Sequence, residues 1–104
     1  MFEKKLYNLG VYSLLVNRPK EAIIAAKKSL ELAPEKTTVY RFLVLGYVLN
    51  NEFEKANPIY LEWKDKHFPE VERTCKEVFL KDIAYLEAAG VTHQNFEKVR
   101  ELLE

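Results

Sequence analysis

Apolar side chains return every three or four positions along most of the chain, the spacing that gathers them on one face of an α-helix. Phe2, Leu6, Leu9 and the pair Tyr12-Ser13 mark the first stripe, which predicts a helix over residues 2–16. The pattern breaks at Asn17. Asparagine enters the left-handed backbone region more readily than most residues, so a sharp turn belongs there. Pro19 suits the first turn of a second helix, where its missing N–H leaves no intrahelical acceptor without a partner. That helix runs to about residue 32 and stops ahead of Pro34, because proline disfavours helix in the residue before it. Thr37 and Thr38 offer hydroxyl caps for a third helix over residues 39–49. Asn50-Asn51 repeats the asparagine turn, and a fourth helix is expected over residues 52–66. Pro58, about two turns into it, removes one backbone hydrogen bond to Glu54 and predicts a kink.

The last third reads as two more helices. A long fifth helix is expected over residues 70–89, with Gly90 as its left-handed stop. Thr92 can cap a final helix over residues 95–103, whose stripe is Phe96, Val99, Leu102 and Leu103.

A second periodicity lies over the first. Shifting the chain by 34 residues sets Leu9 on Leu43, Val11 on Leu45, Leu14 on Val48, Leu15 on Leu49, Asn17 on Asn51 and Ala22 on Ala56. A helical period of about 34 residues is the tetratricopeptide signature, in which each helix–turn–helix unit buries its apolar face only by stacking on neighbours. The first unit carries Leu6, Leu9-Gly10, Ala22 and Pro34 at that family's spacings. The second carries Tyr40, Leu43, Tyr47, Ala56, Tyr60 and, one residue late, Pro69. On these residues the stretch 3–69 resembles the tetratricopeptide repeat family. Val44, Ser13, Ala26 and Trp63 depart from the family's usual residues. Gly10, Ala22 and Ala56 are small because helices must approach closely there.

After residue 69 the register changes: Phe53-Glu54-Lys55-Ala56 recurs as Phe96-Glu97-Lys98-Val99, 43 residues on. The nine extra residues are expected to lengthen the fifth helix, making a divergent third hairpin. The fold implied is all-α, a superhelix of three stacked antiparallel hairpins and about six helices in one domain. The units are about 3–36, 37–69 and 70–104, the last acting as a cap that keeps the array from exposing its core. The stretch from Phe79 to Val99 is also similar to the C-terminal end of bacterial, particularly Bacteroidetes-type, tetratricopeptide proteins. That similarity implies the end of a longer protein.

Composition narrows the function. With 104 residues, 48% of them apolar, the chain can bury a modest core without metal or disulfide. Sixteen basic residues balance sixteen acidic ones, which argues against a nucleic-acid binder, since those carry a net basic footprint. The single cysteine, Cys75, permits no internal disulfide, and a reducing, cytoplasmic setting is the simpler expectation. Cys75 is expected in an apolar seam with Val71, Val78 and Phe79. No apolar run approaches a membrane span, so no membrane partner is expected.

Little in the chain points to chemistry. Neither His67 nor His93 has a neighbour at metal-ligand spacing, and no phosphate loop, nucleophile elbow or framed carboxylate pair is present. His93 is expected exposed in a first helical turn. No cofactor and no catalysis are expected. Tyr60 and Trp63 are expected to anchor the junction of hairpins two and three.

The family resemblance implies a binding role instead. In that family the first helix of each hairpin lines a concave groove, and the matching positions here are Lys4, Tyr7, Val11 and Leu14, then Thr38, Arg41, Phe42, Leu45 and Val48. A mostly apolar groove with a basic rim suits an amphipathic helix or extended peptide from another protein. Some family members clamp the C-terminal carboxylate of heat-shock chaperones, but Tyr7, Val11 and Phe42 at the matching positions supply none of the donors for it. Two alternatives stay open. One is a homo-oligomer through the N-terminal hairpin, with Phe2, Leu6 and Tyr12 in the contact. The other is a regulatory C-terminal tail of a larger enzyme.

Overall fold

The helix-ending turns set the frame of the molecule. Asn17 and Asn51 both take left-handed backbone, at φ 58° and 61°, and Gly90 does so at φ 90°. Each turn is closed by the same pair of bonds. The N–H of Arg18, Glu52 and Val91 reaches back five residues to the carbonyl of Ser13, Tyr47 and Leu86, at 2.7, 2.8 and 2.9 Å. The left-handed residue itself donates to the carbonyl three residues earlier. This is the Schellman arrangement, which satisfies carbonyls that a helix end would otherwise leave bare. It folds the chain back after the first helix of each hairpin.

The computed structural model describes residues 2–69 and 71–104, with side chains from Leu9 onward. Among these residues stand six α-helices: α1 (Phe2–Leu15), α2 (Pro19–Leu32), α3 (Tyr40–Leu49), α4 (Phe53–Trp63), α5 (Cys75–Ala88) and α6 (Asn95–Leu103). No strand occurs among them. None is long and apolar enough to cross a membrane. Pro19 occupies the first turn of α2, and α2 and α6 end where the sequence pattern ends.

Helix α3 is the central element. It packs on α1, α2, α4, α5 and α6, and every residue from Phe42 to Leu49 is buried. Close approach demands small residues around it. A β-carbon on Gly10 would stand inside the edge of the Phe42 ring. Ala22 and Ala56 have no exposed surface. The final helix packs on α4, α5 and α3 through Phe96, Val99 and Leu103, all fully buried or nearly so.

The fifth helix is not lengthened as the spacing predicts. Helix α5 has 14 residues, the same as α1 and α2, and the extra residues fall in the connector between α4 and α5. Helix α4 likewise stops at Trp63 rather than at residue 66. Pro69 bars helix in the residue before it, and Thr74 starts α5 afresh by accepting a hydrogen bond from the Glu77 N–H at 3.4 Å. The connector is tied back on itself. The Cys75 N–H donates to the Lys66 carbonyl at 2.8 Å, and His67 Nδ1 donates to the Arg73 carbonyl at 3.0 Å. Phe68 is thereby driven into the core. It stacks on Trp63 at 6.0 Å and meets Phe79 edge-on at 5.8 Å, while Trp63 also touches Tyr40 and Tyr60 meets Phe79. This aromatic cluster joins hairpins two and three.

Two helix starts also differ from those the spacing predicts. Residues Thr37–Val39 form a 3₁₀ turn leading into α3, with no side-chain cap from either threonine. At α6 the cap is the half-buried His93, whose Nδ1 accepts from the Asn95 N–H at 3.0 Å, and not Thr92. The ring reaches the free N–H from two residues upstream, so His93 is not the exposed first-turn residue the pattern implied.

Candidate functional site

The first helices of the three hairpins, α1, α3 and α5, meet around one open cavity of about 410 Å³. Helix α1 contributes Val11, Leu14 and Leu15; α3 contributes Arg41, Phe42 and Leu45; α5 contributes Lys81, Asp82, Tyr85 and Leu86. Each set follows from helical spacing. Positions three and four apart share a face, so Val11 with Leu14 and Leu15, Arg41 with Leu45, and Lys81 with Tyr85 present neighbouring side chains to the same space. The bounding surface is mainly apolar, and the volume lies in the range of small recognition pockets.

One forked ion pair fixes how α5 stands against α3. Arg41 Nε donates to Asp82 Oδ2 at 3.0 Å and Nη2 donates to Oδ1 at 2.8 Å, with both side chains partly buried. Two parallel charge-assisted bonds hold orientation as well as distance, which a single lysine contact would not. Arg41 is therefore a structural tie in the wall of the groove as well as a basic group on it. Behind α5, the Tyr60 hydroxyl is fully buried and has no hydrogen-bond partner among the described residues. Burial first, and the nearby Asp82 charge second, push its pKa far above the usual phenol range, so it stays protonated.

Of the nine residues the repeat spacing placed in the groove, five line the cavity: Val11, Leu14, Arg41, Phe42 and Leu45. The side chains of Lys4 and Tyr7 lie outside the described residues. Thr38 sits half-buried in the 3₁₀ turn and does not line the cavity. Val48 belongs to the core instead. Its side chain has no exposed surface, and its carbonyl accepts from Asn95 Nδ2 of α6 at 3.4 Å.

Half of the lining was missed from sequence, chiefly the four residues of α5. The signal was there: Lys81 and Tyr85 are one helical turn apart, as Arg41 and Leu45 are. It was hidden because the 34-residue shift fails across the connector.

Cys75 is buried, and desolvation pushes its thiol up, away from the thiolate a nucleophile needs. Among the described residues no group of three His, Cys, Asp or Glu side chains could hold a metal ion. No protein-family model, no curated protein and no solved structure matches the chain.

Proposed function

We propose that the chain is a tetratricopeptide-like scaffold that holds a segment of another protein in the groove between α1, α3 and α5 and performs no chemistry of its own. The observation that carries this reading is the convergence of three first helices on one open, mainly apolar cavity. Three hairpins closed by the same turn, the 34-residue spacing of Asn17 and Asn51, and small residues at the helix crossings support the tetratricopeptide arrangement. An apolar floor with polar groups at its edge favours an amphipathic helix or extended peptide.

The variant that tests this must lie on the rim. Leu45 is only 4% exposed, so a carboxylate there would be buried and would unfold the domain. Tyr85 lines the groove and is 62% exposed. In affinity capture with the intact chain, Tyr85→Glu should abolish partner binding while helix content and melting temperature stay near those of the parent. Tyr12→Glu, on another face of α1, should leave capture intact. Capture that survives Tyr85→Glu and fails with Tyr12→Glu would move the binding surface to that other face.

A second reading, self-association through the N-terminal hairpin, has one observation in its favour. Leu9 and Tyr12 on α1, with Val16 just past its end, are exposed large apolar residues at helical spacing. Phe2 and Leu6 extend the same spacing, and their side chains lie outside the described residues. Sedimentation of the chain across a range of concentrations decides it: a dimer that Tyr12→Glu dissociates supports this reading, and a monomer throughout removes it.

A further inference from the structure

Among the described residues, the charges that line the groove do not cancel. Arg41 and Asp82 neutralise one another through their forked pair. That leaves Lys81, which is exposed at the rim and has no ion-pair partner among the described residues. Apart from Asp82, which Arg41 holds, the nearest acid along α5 is Glu77, which lies one turn away, makes no ion pair with Lys81 and does not line the cavity. Among the described residues the lining therefore carries one net positive charge, set beside Tyr85 and above an apolar floor of Leu14, Phe42 and Leu45. Low-dielectric walls lengthen the reach of such a charge, so it attracts an acid and repels a base more strongly than an open surface lysine would.

We infer that the occupant of the groove is an amphipathic segment with an acidic residue about one helical turn from its apolar anchors, the carboxylate meeting Lys81 while the anchors enter between α1, α3 and α5. This rests on the groove reading proposed above. The apolar anchors supply most of the affinity. The ion pair at the rim sets which way the segment lies and rejects basic sequences, which is the usual division of labour at such an interface.

The test is selection of random displayed peptides, about three helical turns long, on the full chain and on Lys81→Glu. Lys81 is exposed, so the variant should keep the circular dichroism of the parent. On the parent chain the selected peptides should carry Asp or Glu next to pairs of large apolar residues. On Lys81→Glu the same apolar pairs should return with Lys or Arg beside them. A peptide selected on the parent should bind Lys81→Glu at least about tenfold more weakly, an effect that shrinks as salt is raised. Apolar peptides without charge preference, bound equally by both chains but lost with Tyr85→Glu, would overturn the acidic occupant and leave the groove standing. Peptides that bind Tyr85→Glu as well as the parent, or no enrichment at all, would overturn the groove and this inference with it.

Discussion

Leu9 and Leu43 hold the same place in the 34-residue repeat and meet opposite surroundings: Leu9 is 47% exposed and Leu43 is 5% exposed. Hairpin one covers Leu43, whereas no described residue performs that service for Leu9. The next pair along the same stripe is more telling. Gly46 lies where a β-carbon would come within 2.8 Å of Ile23 Cγ1 and 3.3 Å of the Pro19 carbonyl oxygen. The matching position in α1 is Tyr12. A hairpin stacked on α1 in the way hairpin one stacks on α3 would need a small residue there, so Tyr12 bars that register. The close approach at Gly46 can be tested directly. Gly46→Ala should force Ile23 aside and cost about 1–3 kcal/mol, read as a lower urea midpoint at unchanged slope. An unchanged midpoint would mean that α2 does not press on α3 at this point.

The elements that were legible in the sequence are those fixed by local backbone chemistry. Asn17, Asn51 and Gly90 each needed a left-handed conformation, and Pro19 needed a first turn; these requirements do not depend on what lies across the molecule. The connector between α4 and α5 was not legible, because Val71, Cys75, Val78 and Phe79 can be threaded on helical spacing without a break. Only the tertiary fold shows that Thr74 starts the helix and that Phe68 leaves the loop for the core. The groove was half-visible for the same reason. Its α1 and α3 residues follow the repeat, while Lys81, Asp82, Tyr85 and Leu86 lie beyond the change of register. Val48 falls in the core and not in the groove, because spacing gives a face but not what packs on it. Phe68 carries the connector's contribution to stability. With 2% exposure and two ring partners, it should cost about 3–5 kcal/mol when replaced by alanine. Chemical denaturation checks this; a loss below about 1 kcal/mol would show the connector to be an ornament on a core that closes without it.

At the scale of the whole molecule, a radius of gyration of 12.5 Å matches a compact body of this length, so the hairpins curl around α3 and do not extend as an open rod. That curl creates the groove: α5 is drawn against α3 by the Arg41–Asp82 fork, and α1 reaches α3 through the gap left by Gly10. The shape and the proposed function thus rest on the same few residues. The most direct measurement is a map of backbone and methyl chemical shifts of the full chain, titrated with a peptide selected on it. The largest changes should fall on Val11, Leu15, Leu45, Tyr85 and Leu86, with Leu9, Tyr12, Val16 and Ile24 unmoved. Changes concentrated on Leu9, Tyr12 and Val16, with the α5 residues silent, would contradict the account and assign recognition to the N-terminal face.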